Sequence, residues 1–144
     1  MNGFLTESMK IDVISAAVVA GTSLVTSNAL DMQGYDGVAF LALLGDVLDT
    51  SVLTLTGKEN DTNSNSGGTT ISGATAAFTA DATSADSKAI VVDVLRPTKR
   101  YVYCTLARAT ANAVVNSLVA ILYQGHNLPI SNSDLIALTK VAAQ

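Results

Sequence analysis

The sequence predicts an all-β protein, an antiparallel β-sandwich or small barrel of about seven or eight strands. Runs of alternating apolar and polar side chains recur at about 10-residue spacing. Clusters of Gly, Pro, Asn, Asp and Ser, which favour turns, separate these runs. At 144 residues, the chain can bury a single core without disulfides or metals. These observations favour one compact β domain.

The chain divides into three predicted parts. Residues 1–22 form an N-terminal arm and a first edge strand, and residues 23–128 form the sandwich domain. Residues 129–144 form a tail or a short helix, because Asp134 could cap a helix over Leu135–Val141. Only this terminal segment is expected to be helical.

The first half of the chain contains five predicted strands. Their bounds are Ile11–Ala20, Ser23–Leu30, Val38–Leu44, Asp49–Lys58 and Thr69–Ala80. Val38–Leu44 is apolar on both faces, which indicates a fully buried strand, whereas Asp49–Lys58 alternates and should be half-buried. Thr69–Ala80 has few large apolar groups and is predicted as a weak or edge strand. Glu59–Gly68 is predicted as the main exposed loop, because it is almost entirely polar.

The second half is organised around a predicted hairpin. Ala89–Leu95 and Arg100–Arg108 both have a period of two, and Pro97 between them favours a turn. Cys104 occupies an inward-facing position in the second run and should be a buried apolar residue. Ser117–Tyr123 is the last predicted strand, although the Ala and Leu content of the longer stretch Ala107–Tyr123 would also suit a helix.

The composition predicts a protein that meets a partner. Hydrophobic residues make up 49% of the chain and charged residues only 14%, so some apolar surface should lie in an interface. The net charge of −4 disfavours nucleic acid as that partner. The longest apolar run, Val38–Leu44, is far shorter than the ~20 residues of a membrane-spanning helix. We therefore predict a protein partner, and neither nucleic acid nor membrane.

No constellation of residues predicts an enzyme or a cofactor. The single histidine, His126, has no second histidine or cysteine near it in sequence and is predicted to be solvated. Asp61–Asn65 matches the opening of a calcium-binding loop. Ser66 then replaces the required glycine, and Ser72 replaces the bidentate glutamate. A non-catalytic protein without a cofactor is the expectation.

Two groups of residues are candidates for a protein interface. They are Val119, Ile121 and Tyr123 on the last strand, and Arg96, Lys99 and Arg100 at the predicted turn. The first group alternates on one face of its strand, which predicts a self-association surface. The second is the only local concentration of positive charge, and it is either a solvated turn that pairs with nearby acids or a partner contact.

Two segments carry a resemblance to a known family. Ser27–Val38 has the order Ser-Asn-Ala-Leu-Asp-Met-Gln-Gly-Tyr-Asp-Gly-Val, and Val92–Val102 has Val-Asp-Val-Leu-Arg-Pro-Thr-Lys-Arg-Tyr-Val. With the Asn-, Ser- and Asp-rich middle between them, they resemble the capsid cement, or decoration, proteins of tailed bacteriophages, which have a jelly-roll fold. The resemblance covers roughly Ser23 to Leu128.

The resemblance implies a role and a location. It implies a homodimer or homotrimer made in the bacterial host cytoplasm that binds the major capsid protein on the outer surface of the virion. Two alternatives stay open. A head-completion or tail protein would share the virion setting, whereas a carbohydrate-binding β-sandwich module would present exposed aromatic rings to sugars.

Overall fold

Two antiparallel five-stranded sheets pack face to face in the computed structural model, which describes residues 3–142. The strands are β1 (Lys10–Ser15), β2 (Val18–Gly21), β3 (Val25–Thr26), β4 (Leu30–Asp31), β5 (Gly37–Val47), β6 (Val52–Asn60), β7 (Thr69–Thr79), β8 (Ala89–Leu95), β9 (Tyr101–Ala109) and β10 (Ala113–Tyr123). A 3-10 helix, Leu5–Glu7, precedes them. The all-β sandwich prediction is confirmed.

The strand order is that of a jelly roll. The first sheet has the order β1-β10-β5-β8, with β2 also paired to β10. The second has the order β3-β9-β6-β7, with β4 also paired to β9. Counting β1 with β2 and β3 with β4 as interrupted single strands leaves four strands in each sheet, which is the jelly-roll arrangement.

The core lies between the sheets and follows the period-two pattern of the strands. Along β6 every second side chain is buried, which confirms the half-buried prediction. Phe40 of β5 is fully buried, and its ring lies against Gly57 of the opposite sheet, where an added Cβ would stand 3.5 Å from Phe40 Cε2. The prediction that Val38–Leu44 is buried on both faces is wrong, because its alternate residues point out of the sandwich and are only partly buried.

The predicted hairpin of β8 and β9 is also wrong, although both strands exist. β8 pairs with β5 in the first sheet, and β9 pairs with β6 in the second. The five residues between them therefore cross from one sheet to the other. Arg96 begins this crossing in the left-handed region, at φ 55°. Alternation predicts a strand but not its partner, so two neighbouring strands could not be assigned to different sheets.

A buried carboxylate holds the crossing. Glu59 accepts hydrogen bonds from the backbone N–H and Oγ1 of Thr98, at 2.8 and 2.7 Å, and from the Lys99 N–H at 3.2 Å. Glu59 and Asn60 belong to β6, so the predicted exposed loop begins later than expected. Carboxylates are usually exposed to water. Glu59 can be buried because these three hydrogen bonds replace the ones that its carboxylate would form with water.

The first two predicted strands are shorter than expected. Ile11–Ala20 is divided into β1 and β2, with a register shift against β10 after Val13. Within Ser23–Leu30 only residues of β3 and the first residue of β4 are in strands. Ser27, between them, is fully buried and its Oγ accepts the Cys104 N–H at 2.9 Å. The Ser27 hydroxyl oxygen thus accepts the Cys104 N–H in place of a backbone carbonyl oxygen from a neighbouring strand.

The C-terminal helix prediction is wrong. Residues 131–142 contain no helix, and the chain runs beside β1 instead. Asn132 Oδ1 accepts the Ile11 N–H at 2.7 Å, and Asp134 Oδ2 accepts the Val13 N–H at 2.9 Å. Asp134 therefore binds the edge of a sheet and does not cap a helix. No helix in residues 3–142 is long and apolar enough to cross a membrane.

A buried arginine joins the two sheets at one end of the sandwich. Arg108 of β9 is only 4% exposed. Its Nε donates to Ser23 O at 2.9 Å, and its Nη1 donates to Val19 O at 2.9 Å and Ala113 O at 2.6 Å. Three carbonyl oxygens from separate segments thus accept three of the five N–H donors of one guanidinium.

Candidate interaction surface

The outward side of the first sheet carries a continuous set of apolar side chains. Strand register places Val13, Val119, Leu41 and Val91 in one row across four strands. The next row contains Ile11, Ile121 and Ala39 and ends at Asp93 on β8. We call this the outer apolar face, made up of Ile11, Val13, Ala39, Leu41, Val91, Leu95, Val119, Ile121 and Tyr123. Four strands contribute because each turns every second side chain away from the core.

The structure brings together the three apolar residues predicted from the sequence. Val119, Ile121 and Tyr123 all lie on the outer apolar face and are partly buried. Sequence reasoning missed their neighbours, including Val13 and Val91, which are 50% and 49% exposed. The alternation of apolar and polar side chains in β1 and β8 could have identified these residues as outward-facing. Only the register, however, shows that these strands flank β10 and β5.

A groove of about 1000 Å³ runs over one end of this face. Its floor includes Ala39, Ile121 and Tyr123. Its walls are formed by segments near both ends of the described chain, with Phe4, Leu5 and Met9 from one and Leu128 and Pro129 from the other. Two carboxylates, of Glu7 and Asp93, also line it. The groove is therefore mainly apolar, and one of its two carboxylates, that of Glu7, is paired with Lys140 Nζ at 3.1 Å.

Tyr123 spans the sheet at this groove. Its ring passes over Gly37, where an added Cβ would collide with the ring, and its O–H donates to Asp93 Oδ1 at 2.6 Å. Burial, followed by this hydrogen bond, raises the pKa of Tyr123 to about 12. The bond holds the Asp93 carboxylate over the sheet. Any side chain at position 37 would therefore displace the ring from its place over the sheet.

The raised pKa of Tyr123 predicts a loss of stability at high pH. The unfolded phenol ionises near its ordinary pKa of 10.0, but the folded phenol ionises near 12. The contribution of Tyr123 is thus fully present below pH 10 and is lost as the pH rises from 10 towards 12. Denaturant unfolding across this range should show the loss, and Tyr123→Phe should lack that component. Phenolate absorbance of Tyr123 appearing near pH 10 would contradict the assignment.

The three basic candidates line one open pocket of about 450 Å³ at the crossing, although each has different polar partners. Lys99 Nζ pairs with Asp61 at 3.1 Å, and Arg100 forms two bonds to the Asp31 carboxylate, at 2.9 and 2.8 Å. The hydrogen bond from Arg100 lowers the pKa of Asp31. Lys99 and Arg100 are therefore both paired with acids of this chain.

Arg96 is the basic candidate that adjoins the outer apolar face. It directly follows Leu95 of β8, and its N–H donates to Asp36 O at 2.7 Å. The Asp36 N–H in turn donates to Tyr123 O at 3.2 Å. Arg96 and Tyr123 thus lie at the same end of the first sheet, on either side of the chain that enters β5.

The remaining residues singled out in the sequence lie apart from this surface or at its border. Cys104 is fully buried, as predicted, and burial raises the pKa of its thiol to about 12. His126 is exposed, and its Nε2 lies 2.8 Å from Asp36 Oδ1. In the calcium-like segment, Asn65 Nδ2 donates to Ser27 O at 2.9 Å. Residues 3–142 contain no group of three or more His, Cys, Asp or Glu placed to hold a metal ion.

Comparisons with known proteins give similarity in structure only. No protein-family model matches the chain, and no curated protein matches it in sequence. Among solved structures, the PBSX exported protein XepA aligns over 93% of this chain with a TM-score of 0.48 and 19% identity. This chain spans only 42% of XepA. The Eiger TNF protein of S. frugiperda aligns over 92% of this chain and 99% of its own, with a TM-score of 0.35 and 8% identity.

Proposed function

We propose that this protein is a non-catalytic structural component of a phage virion, a cement protein that binds the major capsid protein on the outer surface of the head. The observation that carries the proposal is the outer apolar face, a set of partly exposed side chains across four strands. The resemblance of Ser27–Val38 and Val92–Val102 to decoration proteins supports the choice of a capsid as the partner.

The free energy gained by burying the outer apolar face could stabilise a capsid shell. Burial of apolar surface contributes about 25 cal/mol per Å², before the costs of association. A lattice repeats one contact many times, so a modest affinity at each site can stabilise the whole particle. The low charge of the chain and the apolar side chains of the outer apolar face favour this kind of broad contact.

The alternative functions differ in position and in chemistry. A head-completion or tail protein would use a similar surface but would be confined to the neck or tail. A carbohydrate-binding module needs exposed rings, and here Tyr103 is 2% exposed while Tyr123 is engaged with Asp93. Two of the four tyrosines are therefore not free to stack on a sugar.

Replacing Ile121 by Asp should abolish binding to phage heads. The change places a charge in the middle of the outer apolar face, where it would be buried without a partner, so we expect at least about a tenfold loss of affinity. The measurement is co-sedimentation of the purified full-length chain with heads of the phage that encodes it, after removal of the resident copies. Labelled protein should cover the whole head.

Val19→Asp is the matched control. Val19 is 83% exposed and belongs to β2, outside the defined face, so this variant should bind like the wild type. Undiminished head binding by folded Ile121→Asp would refute the proposed face. Label restricted to the neck or tail would favour the head-completion or tail alternative. If Ile121→Asp binds heads but no longer self-associates, the face is the self-association surface predicted from the sequence.

A further inference from the structure

The edges of the two sheets differ in how they are protected from pairing with other chains. An unpaired edge strand offers a row of N–H and C=O groups to any extended segment, and folded proteins usually cover or interrupt such edges. The β1 edge is covered within the chain. The side chains of Asn132 and Asp134 take the hydrogen bonds of Ile11 and Val13 that a further strand would otherwise take.

The edges of the second sheet are interrupted. At one edge, β3 and β4 have two residues each, too few to guide a partner strand. At the other edge, β7 is long, but its pairing with β6 has a register shift after Thr56, and Gly73 has a φ of +79°. Its side chains are mostly small or polar. Both edges are therefore poor templates for strand addition.

The β8 edge has none of these protections. Ala89–Leu95 pairs with β5 without a register shift, and no other strand within residues 3–142 pairs with it. Its sequence, Ala-Ile-Val-Val-Asp-Val-Leu, has high strand propensity. Val91 and Leu95 are 49% and 56% exposed. Within residues 3–142, β8 is thus a regularly paired and mainly apolar edge strand.

The hydrogen bonds beyond both ends of β8 show which backbone groups face outward. The Arg96 N–H donates to Asp36 O, and Lys88 O accepts the Leu44 N–H, so even-numbered residues direct their backbone groups towards β5. Backbone groups alternate in direction along an antiparallel strand. The odd-numbered residues, Ala89, Val91, Asp93 and Leu95, therefore present their N–H and C=O groups to the open edge.

The one charge on this edge strand does not block it. A charged side chain in the middle of an edge ordinarily prevents pairing with other chains. Here the Asp93 carboxylate accepts the Tyr123 O–H at 2.6 Å, and Tyr123 lies on β10, two strands away. This bond draws the carboxylate back over the sheet, away from the open edge.

We propose that β8 pairs with β8 of a second copy of this chain, antiparallel about a two-fold axis, so that the two first sheets become one continuous sheet. A second copy fits this edge because a two-fold axis beside a strand presents the same strand in antiparallel orientation. Each outward N–H of one copy then lies opposite an outward C=O of the other copy. The inference depends only on the edge and holds whatever partner the outer apolar face binds.

The position of Asp93 selects the register. With the axis at Asp93, two carboxylates would lie directly opposite each other, which is destabilising. With the axis at Val91, only residues 89–93 could pair. With the axis at Val92, Asp93 faces Val91 of the second copy, and all seven residues of β8 are paired. The four outward residues of each copy then form about eight hydrogen bonds between copies.

Proline at position 91 tests the pairing. The Val91 N–H faces the open edge, and proline is tolerated at such positions because no internal ladder bond is lost. Val91→Pro should keep a native circular dichroism spectrum and weaken the dimer by at least about tenfold in sedimentation equilibrium. Val91→Thr is the matched control. It keeps the N–H and the β-branched shape, and should dimerise like the wild type.

Two further measurements complete the test. In the wild-type dimer, the amides of Val91, Asp93 and Leu95 should exchange with solvent more slowly as protein concentration rises. This test does not depend on whether Val91→Pro folds.

The Asp93→Asn variant tests the register. It should leave dimer affinity nearly unchanged in the proposed register, and it should strengthen the dimer if Asp93 of one copy lies opposite Asp93 of the other. A wild-type chain that stays monomeric, a folded Val91→Pro that remains dimeric, or concentration-independent exchange at these amides would overturn the pairing. A stronger Asp93→Asn dimer would overturn the register.

Discussion

Replacing Phe40 by alanine should lower the free energy of unfolding by about 3–5 kcal/mol. Phe40 is the largest of the fully buried side chains, and its ring fills the space above Gly57 between the two sheets. The two sheets can close the resulting cavity only in part, because the neighbouring core side chains, including Leu55 and Leu118, hold them apart. Equilibrium denaturation should show a lower midpoint with an unchanged slope.

Phe78→Ala is the control for this substitution. Phe78 lies on the edge strand β7 and is 44% exposed, so the same chemical change should cost less than about 1 kcal/mol. Equal losses for the two variants would mean that the space between the sheets is not closely packed around Phe40.

Replacing Arg108 by methionine should lower the free energy of unfolding by about 2–4 kcal/mol. The carbonyl oxygens of Val19, Ser23 and Ala113 would each lose a donor, at roughly 1 kcal/mol apiece, and the space left by the guanidinium would add to the cost. Removing a buried charge offsets part of this loss. The loss should be measured by the same denaturant unfolding.

Arg96→Met provides the comparison for Arg108. Arg96 is exposed, and its substitution should change the stability by less than about 0.5 kcal/mol. A stability of Arg108→Met equal to that of Arg96→Met would show that the three carbonyl groups find other donors, such as water, when the guanidinium is removed.

The sequence predicted the kind of fold well, because that information is local. Alternation in Asp49–Lys58 and the polar turns fixed most strands, and the buried position of Cys104 was predicted from its place in a run. The sequence could not predict which strands pair with each other. They depend on contacts between distant residues, as the crossing held by Glu59 and Thr98 illustrates.

The same limit applies to the candidate surface. Val119, Ile121 and Tyr123 were found from alternation within one strand, but the outer apolar face also needs Leu41 and Val91, which join it only through the sheet register. The prediction of a C-terminal helix was wrong for a related reason. Ser131–Asp134 suits a helix cap, but the side chains of Asn132 and Asp134 bind backbone N–H groups 121 residues away, and no local rule anticipates this.

The place of β10 in the first sheet has a consequence for synthesis of the protein. Ala113–Tyr123 lies between β1 and β5, so these two strands are separated until the last strand inserts. During translation, the first sheet cannot assemble before residues 113–123 have left the ribosome. Until then β1, β2 and one side of β5 lack their native partner, and completion of the sheet depends on a contact between distant parts of the chain.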